Sequence, residues 1–152
     1  MEKNEKIHGM KIFIGSDRIG FHLKHQLVTS LSEKYEVIDC GPFEYASVHY
    51  PTIAFDVSER IRGQKRFFGI LICSTGTGMC IAANKIKRIR AANCLNIYLA
   101  QHSRLHNDAN VLCLGSDLVD FNVAVEIAHT FLSTQFEGGK HIERIKLIDE
   151  VS

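Results

Sequence analysis

"GILICSTGTG", Gly69 to Gly78, is the stretch on which the reading of the chain turns. Its first half is apolar without alternation, so both faces of a strand there would be covered. That pattern belongs to a parallel sheet between two helix layers. Its second half is small, hydroxylated and glycine-rich, as a tight loop opening a helix would be. Cys73 sits on the join.

Working outward, strand-like and helix-like segments alternate. "MKIFIGS" (10–16) is an apolar, β-branched run, and "IGFHLKHQLVTSLSEKY" (19–35) carries Ile19, Leu23, Leu27, Val28 and Leu31 at helical spacing. "EVIDCG" (36–41) is a short strand stopped at Gly41-Pro42. "PTIAFDVSERIRG" (51–63) is a helix with Pro51 in its first turn and Gly63 at its end. After "FFGILIC" (67–73) come the helix "GMCIAANKIK" (78–87), the strand "IRAANCL" (89–95) and the helix "IYLAQHSRLHN" (97–107). "ANVLCLG" (109–115) is a strand and "NVAVEIAHTFLST" (122–134) a helix. A last amphipathic helix, "GGKHIERIKLIDEVS" (138–152), follows a double glycine and suits packing on its own sheet or crossing to a partner. Five strands each followed by a helix predict a Rossmann-like or flavodoxin-like three-layer α/β/α sandwich on a five-stranded parallel sheet.

The 152 residues suit one domain. The expected organisation is a flexible tail over 1–9 and a single domain over 10–152. The polar start "MEKNEKIHG" lacks the apolar core of a secretion signal, and no apolar run is long enough for a bilayer. With 18 basic and 17 acidic residues the formal charge is +1, which advertises neither a nucleic-acid nor a membrane partner. The five cysteines (40, 73, 80, 94 and 113) form no C-x-x-C pair. They read as reduced thiols in a cytoplasmic protein without disulfides or zinc-ribbon spacing.

Ligands of open α/β sheets bind at the carboxyl ends of the strands. There the sequence offers Gly15-Ser16-Asp17-Arg18, Cys73 to Gly78, and Gly115-Ser116-Asp117. The glycine loop is neither a phosphate-binding P-loop nor a complete dinucleotide fingerprint, since both patterns lack required residues. Cys73 admits two readings. It is an inert core cysteine at a strand end, or a thiolate beside loop amides and a helix N-terminus, acting as nucleophile or base with an oxyanion hole behind it. His102 and His106 are one turn apart, but without H-E-x-x-H a metal site is not expected. His106 is either a helix-end cap or a general acid/base facing the loop. Arg18, Lys140 and Arg144 could hold a phosphate dianion, although the last two equally suit a solvated helix face.

Several motifs together resemble one family. "GSDRIGFHLK", "GILICSTGTGMCIAANK", "IRAA", "SRLHNDANVLCLGS" and "FEGGKHIERI" are similar, in order and spacing, to the B-type ribose-5-phosphate isomerases, a family that also holds galactose- and allose-6-phosphate isomerases. The resemblance runs from about residue 10 to the C-terminus. It implies a metal-independent, cofactor-free aldose–ketose isomerase of the pentose phosphate pathway, working through a cis-enediolate. It further implies a homodimer or tetramer of dimers with the site between two subunits. By motif position, Cys73 corresponds to the catalytic base and Thr75 to a supporting hydroxyl. The amides of Ser74, Gly76, Thr77 and Gly78 would hold the enediolate oxygens. His106, with Asn107 beside it, corresponds to the residue that opens the furanose ring, Asp17 to one that binds the sugar's hydroxyls or ring oxygen, and Lys140 and Arg144 to phosphate-binding arginines.

The chain departs from that pattern at the phosphate end. It has Asp17-Arg18 where the family usually has Asp-His, Asp117 where an arginine follows "GS", and Lys140 for one C-terminal arginine. Pairing of Arg18 with Asp117, within or across subunits, would rebuild the pocket. Around Tyr50-Pro51 the pocket wall also varies. Two alternatives follow: a six-carbon sugar phosphate as substrate, or a non-catalytic sugar-phosphate-binding or partner subunit.

Overall fold

The computed structural model describes residues 5–151, so the first four residues of the expected tail lie outside it. The expected elements are present: β1 (Lys11–Ser16), α1 (Phe21–Leu31), β2 (Glu36–Asp39), α2 (Tyr50–Ile61), β3 (Phe67–Cys73), α3 (Thr77–Ala83), β4 (Ala91–Asn93), α4 (Ile97–Asn107), β5 (Val111–Gly115), α5 (Phe121–Ser133) and α6 (His141–Glu150). All neighbouring strands are parallel, in the order β2-β1-β3-β5-β4. The α/β sandwich expected from the unbroken apolar strands is therefore borne out.

Two apolar clusters cover the two faces. One joins the sheet to α1, α4 and α5 through residues such as Leu27, Ala100 and Ile127. The other joins it to α2 and α3 through Val57, Met79 and Ala83. The strand order explains this division. β1→β2 and β4→β5 step in one direction along the sheet, and β2→β3 and β3→β4 in the other. Right-handed crossovers then put the two pairs of connecting helices on opposite faces. The chain leaves β1 and β3 in opposite directions, which opens a crevice between their carboxyl ends. Because β5 rather than β4 lies beside β3, the end of β5 borders that crevice as well.

Two elements are shorter than their patterns suggest. α3 stops at Ala83 instead of running to 87. Asn84 ends it with a two-way clamp: its Nδ2 donates to the Ala91 carbonyl (3.0 Å) and its Oδ1 accepts from the Ala91 amide (2.8 Å). The same clamp opens β4, an edge strand of three residues that pairs with β5. At the opposite edge the fully buried Lys24 bonds Asp39 Oδ1 (2.8 Å) and the Pro42 carbonyl, pinning the loop after β2. α6 buries His141 and Ile145 on its own chain, with Asp149 bonded to Arg90 at 3.0 Å. Its Ile142, Leu147 and Ile148 remain exposed.

Candidate active site

Sheet register brings the first group of site residues together. Ser16 pairs with Ile72, so Asp17 lies beside Cys73, and its amide donates to the Ile72 carbonyl (3.1 Å). Cys73 pairs with Gly115, which sets Ser116 and Asp117 against the glycine loop. Ser116 N–H bonds the Cys73 carbonyl (2.9 Å) and Asp117 N–H the Ser74 carbonyl (3.0 Å). Asp17 Oδ1 accepts from Gly20 N–H (2.9 Å), turning the chain into α1.

Cys73 ends β3 and is almost fully buried. Its Sγ accepts a hydrogen bond from Gly76 N–H at 3.2 Å. An N–H on sulfur holds a negative charge better than a neutral thiol. Gly76 has φ +80°, and a Cβ there would stand 2.4 Å from Asn93 Oδ1. Only glycine therefore allows this turn to aim its amide at the sulfur. Asn93 Nδ2 holds the loop from the other side through the Thr75 carbonyl (3.1 Å). Tyr50 lies on Gly78, where a Cβ would meet the ring at 2.9 Å. Thr75 and Thr77 are exposed, and Thr75 Oγ1 accepts from Thr77 N–H (3.3 Å). No hydrogen bond joins Thr75 to the Cys73 sulfur among the described residues. Asn93 carries no sequence signal of its own, and Ser116 is marked only by its place after β5; the fold shows both as anchors of the loop.

The second group lies at the opposite end of the strands. α4 starts three residues after β4 and ends three before β5, so its C-terminal turn, with His106 and Asn107, sits at the amino ends of the strands. Arg90, just before β4, bonds the Asn107 carbonyl (3.1 Å) there. Lys140 and Arg144 belong to the start of α6 at this same end and are exposed. His106 stacks on His141 with ring centroids 4.5 Å apart and 16° between planes. Glu137 Oε2 stands 3.7 Å from His106 Nε2 and 3.4 Å from His141 Nε2. His102 is bonded to its own helix, Nδ1 to the Tyr98 carbonyl at 2.9 Å. Within one chain, then, His106 does not face the cysteine loop. The helix between the two groups spans about 16 Å at 1.5 Å per residue.

Arg18 and Asp117 are both exposed, and they form no ion pair with each other among the described residues. Arg18 lies instead 5.9 Å from the centroid of Tyr45, which itself stacks on His22. Cys40, Cys73, Cys80, Cys94 and Cys113 are all unpaired thiols. No helix among the described residues is long and apolar enough to cross a membrane.

The family model described as Ribose/Galactose Isomerase matches residues 12–148. The chain belongs to this isomerase family. It is an enzyme of the aldose–ketose isomerase type. The isomerase is 44% identical over 142 residues to ribose-5-phosphate isomerase B of Escherichia coli (strain K12), covering 93% of this chain and 95% of that protein. It superposes on ribose-5-phosphate isomerase B of Clostridium thermocellum with a TM-score of 0.90 at 45% identity, covering 93% and 97% of the two chains. A second solved structure, ribose-5-phosphate isomerase B of Mycoplasma genitalium with bound ribulose-5-phosphate, matches with a TM-score of 0.89 at 39% identity over 93% and 95% of the chains.

Proposed function

We propose that this isomerase interconverts ribose 5-phosphate and ribulose 5-phosphate, as a cytoplasmic enzyme of the pentose phosphate pathway with one domain over 10–152. The observation that carries the reading is the Cys73 sulfur at the end of β3 with the Gly76 amide on it. The Cys73 thiolate takes the proton from C2 of the open-chain aldose. The electron pair forms the C1–C2 double bond of a cis-enediolate, and its negative oxygen is held by the loop amides from Ser74 to Gly78. The thiol then returns the proton to C1, and the hydroxyl proton of O2 passes to O1, leaving the ketose. Asp17, half-buried beside Cys73, holds sugar hydroxyls, and Thr75 supports the base.

The ring-opening step requires a second copy of the chain. His106, Asn107, Lys140 and Arg144 lie at the opposite end of the strands from Cys73, so a site using both groups is built between subunits. The exposed Leu95, Ile97, Tyr98 and Leu99 around the start of α4 supply apolar surface for such a dimer, alone or within a tetramer of dimers. Before the Cys73 chemistry, His106 of the partner subunit protonates the ring oxygen as the C1–O ring bond breaks and the O1 hydroxyl proton leaves to solvent, giving the open-chain aldehyde, and Lys140 and Arg144 meet the phosphate.

One observation favours a six-carbon substrate, allose 6-phosphate or galactose 6-phosphate. Asp117 is exposed at the crevice where the family pattern has an arginine, and no cation pairs with it among the described residues, which leaves the phosphate end altered. The deciding experiment compares turnover of the three sugar phosphates by the wild type and by Cys73→Ala. Ribose 5-phosphate is expected to be the best substrate, and the variant is expected to lose activity by about 100-fold or more. Equal rates in both proteins would remove Cys73 from its role.

A further inference from the structure

His106, Glu137 and His141 come from three separate places: the last turn of α4, the α5–α6 connection and the first residue of α6. Their ligand-capable atoms all lie within 4.8 Å of one another. The contacts from Glu137 Oε2, 3.4 Å to His141 Nε2 and 3.7 Å to His106 Nε2, are too long for hydrogen bonds between these groups. None of the three side chains has a hydrogen-bond partner among the described residues. The group is nevertheless held together. Glu137 N–H bonds the Leu105 carbonyl (3.1 Å), the two imidazoles stack, and the side chain of His141 is only 9% exposed.

These spacings suit a shared ion. Zinc bonds of about 2.0 to 2.2 Å in a tetrahedron put neighbouring ligand atoms about 3.4 Å apart. The His141–Glu137 pair already has that spacing. His106 stacks nearly parallel on His141, so it must turn out of that stack for both nitrogen lone pairs to point at one ion, and with its side chain 41% exposed at a helix end it has room to do so. Two imidazoles and one carboxylate suit borderline first-row ions, whereas magnesium and calcium take all-oxygen sets.

We propose that His106, Glu137 and His141 form a binding site for a divalent transition ion of the zinc type, held by two imidazole nitrogens and one carboxylate oxygen. Three protein ligands leave a coordination position for water. Binding stands independently of the isomerase reading. Its consequence rests on that reading: an ion on His106 withdraws the ring-opening imidazole, so zinc is an inhibitor here and not a cofactor.

The test uses the full chain, stripped with a chelator and titrated with Zn2+ against a chromophoric chelator and with Co2+ by visible absorption. The expected result is one ion per chain and a cobalt spectrum without thiolate charge transfer. Glu137→Gln and His141→Asn should each weaken Zn2+ binding by about tenfold or more, while His102→Asn leaves it unchanged. If His141→Asn does not fold, the exposed Glu137→Gln carries the comparison. Absence of stoichiometric binding, a thiolate band, or wild-type affinity in Glu137→Gln would overturn the site. Stoichiometric binding with undiminished ribose 5-phosphate turnover would overturn the inhibition alone. A chain that binds zinc yet turns over no sugar phosphate in the stripped state would instead overturn the isomerase reading.

Discussion

Cys73 and Gly76 form the smallest working unit of the proposed mechanism, and each makes a separate prediction. Loss of the thiol removes the base and leaves the Gly76 amide without its acceptor. Gly76→Ala acts the other way: it forces a Cβ into a left-handed turn and onto Asn93 Oδ1. It should cost about 2 kcal/mol of stability, read from urea unfolding, and lower turnover because the amide leaves the sulfur. A second thiol complicates any labelling of the first. The Cys113 thiol beside Cys80, then the Asn93 backbone and the Asn84 side chain, favour the charged form of Cys80. Burial opposes them, and the net lowers Cys80 to about 7. Burial pushes Cys40 and Cys94 up to about 11. The thiolate fraction rises with pH. Iodoacetamide labelling of Cys80, followed by peptide mass spectrometry, should therefore rise through a midpoint near 7. Over the same range Cys40 and Cys94 stay unlabelled. A Cys80 rate still climbing steeply at pH 9 would contradict this.

At the scale of elements, α4 sets where His106 stands, and a buried arginine holds α4. Arg104 bonds Asp108 Oδ1 (2.8 Å) and the Thr134 carbonyl (3.2 Å), and its guanidinium lies over the rings of Phe68 and Phe131. One side chain thus ties the end of α4 to the end of α5 and to the start of β5. Arg104→Leu keeps the bulk but strands the carboxylate and the carbonyls. The expected loss is about 3 kcal/mol, measured as a fall in the urea midpoint at pH 7. Arg104→Lys should recover little of it, because a point charge cannot reach both acceptors and stack as well. The element boundaries show where the sequence was legible. β3 and α4 match their patterns residue for residue, since β3 is an unbroken apolar run, α4 has helical spacing, and both are ended by clear signals. α3 ran short because Asn84 bonds Ala91, seven residues on, and a pattern of apolar spacing contains no sign of that clamp.

For the whole molecule, the decisive fact is that the two groups of candidate site residues occupy opposite ends of the strands, Cys73 at the carboxyl ends and His106 at the amino ends. A site completed by a second copy has a direct test. Cys73→Ala and His106→Ala chains, each inactive alone, are unfolded together and refolded as mixed dimers. Half the dimers are mixed and each has one intact site, so about one quarter of wild-type activity should return. A site built within one chain would recover nothing, because neither chain carries both residues.

By itself the sequence determined the α/β class, the parallel sheet and the cysteine–glycine loop. All three follow from local pattern: unbroken apolar strands, helical periodicity and glycines where the chain must turn. The family, too, was carried by short motifs in a fixed order. Only the tertiary structure decided that β5 borders β3, that Asn93 and Tyr50 brace the loop, and that Glu137 and His141 meet His106. Within one chain it also decided that Arg18 faces Tyr45 rather than Asp117. These depend on strand order and on which end of a helix meets which edge of the sheet. Contacts between residues far apart in the chain are set by packing the whole, and a one-dimensional pattern does not carry them.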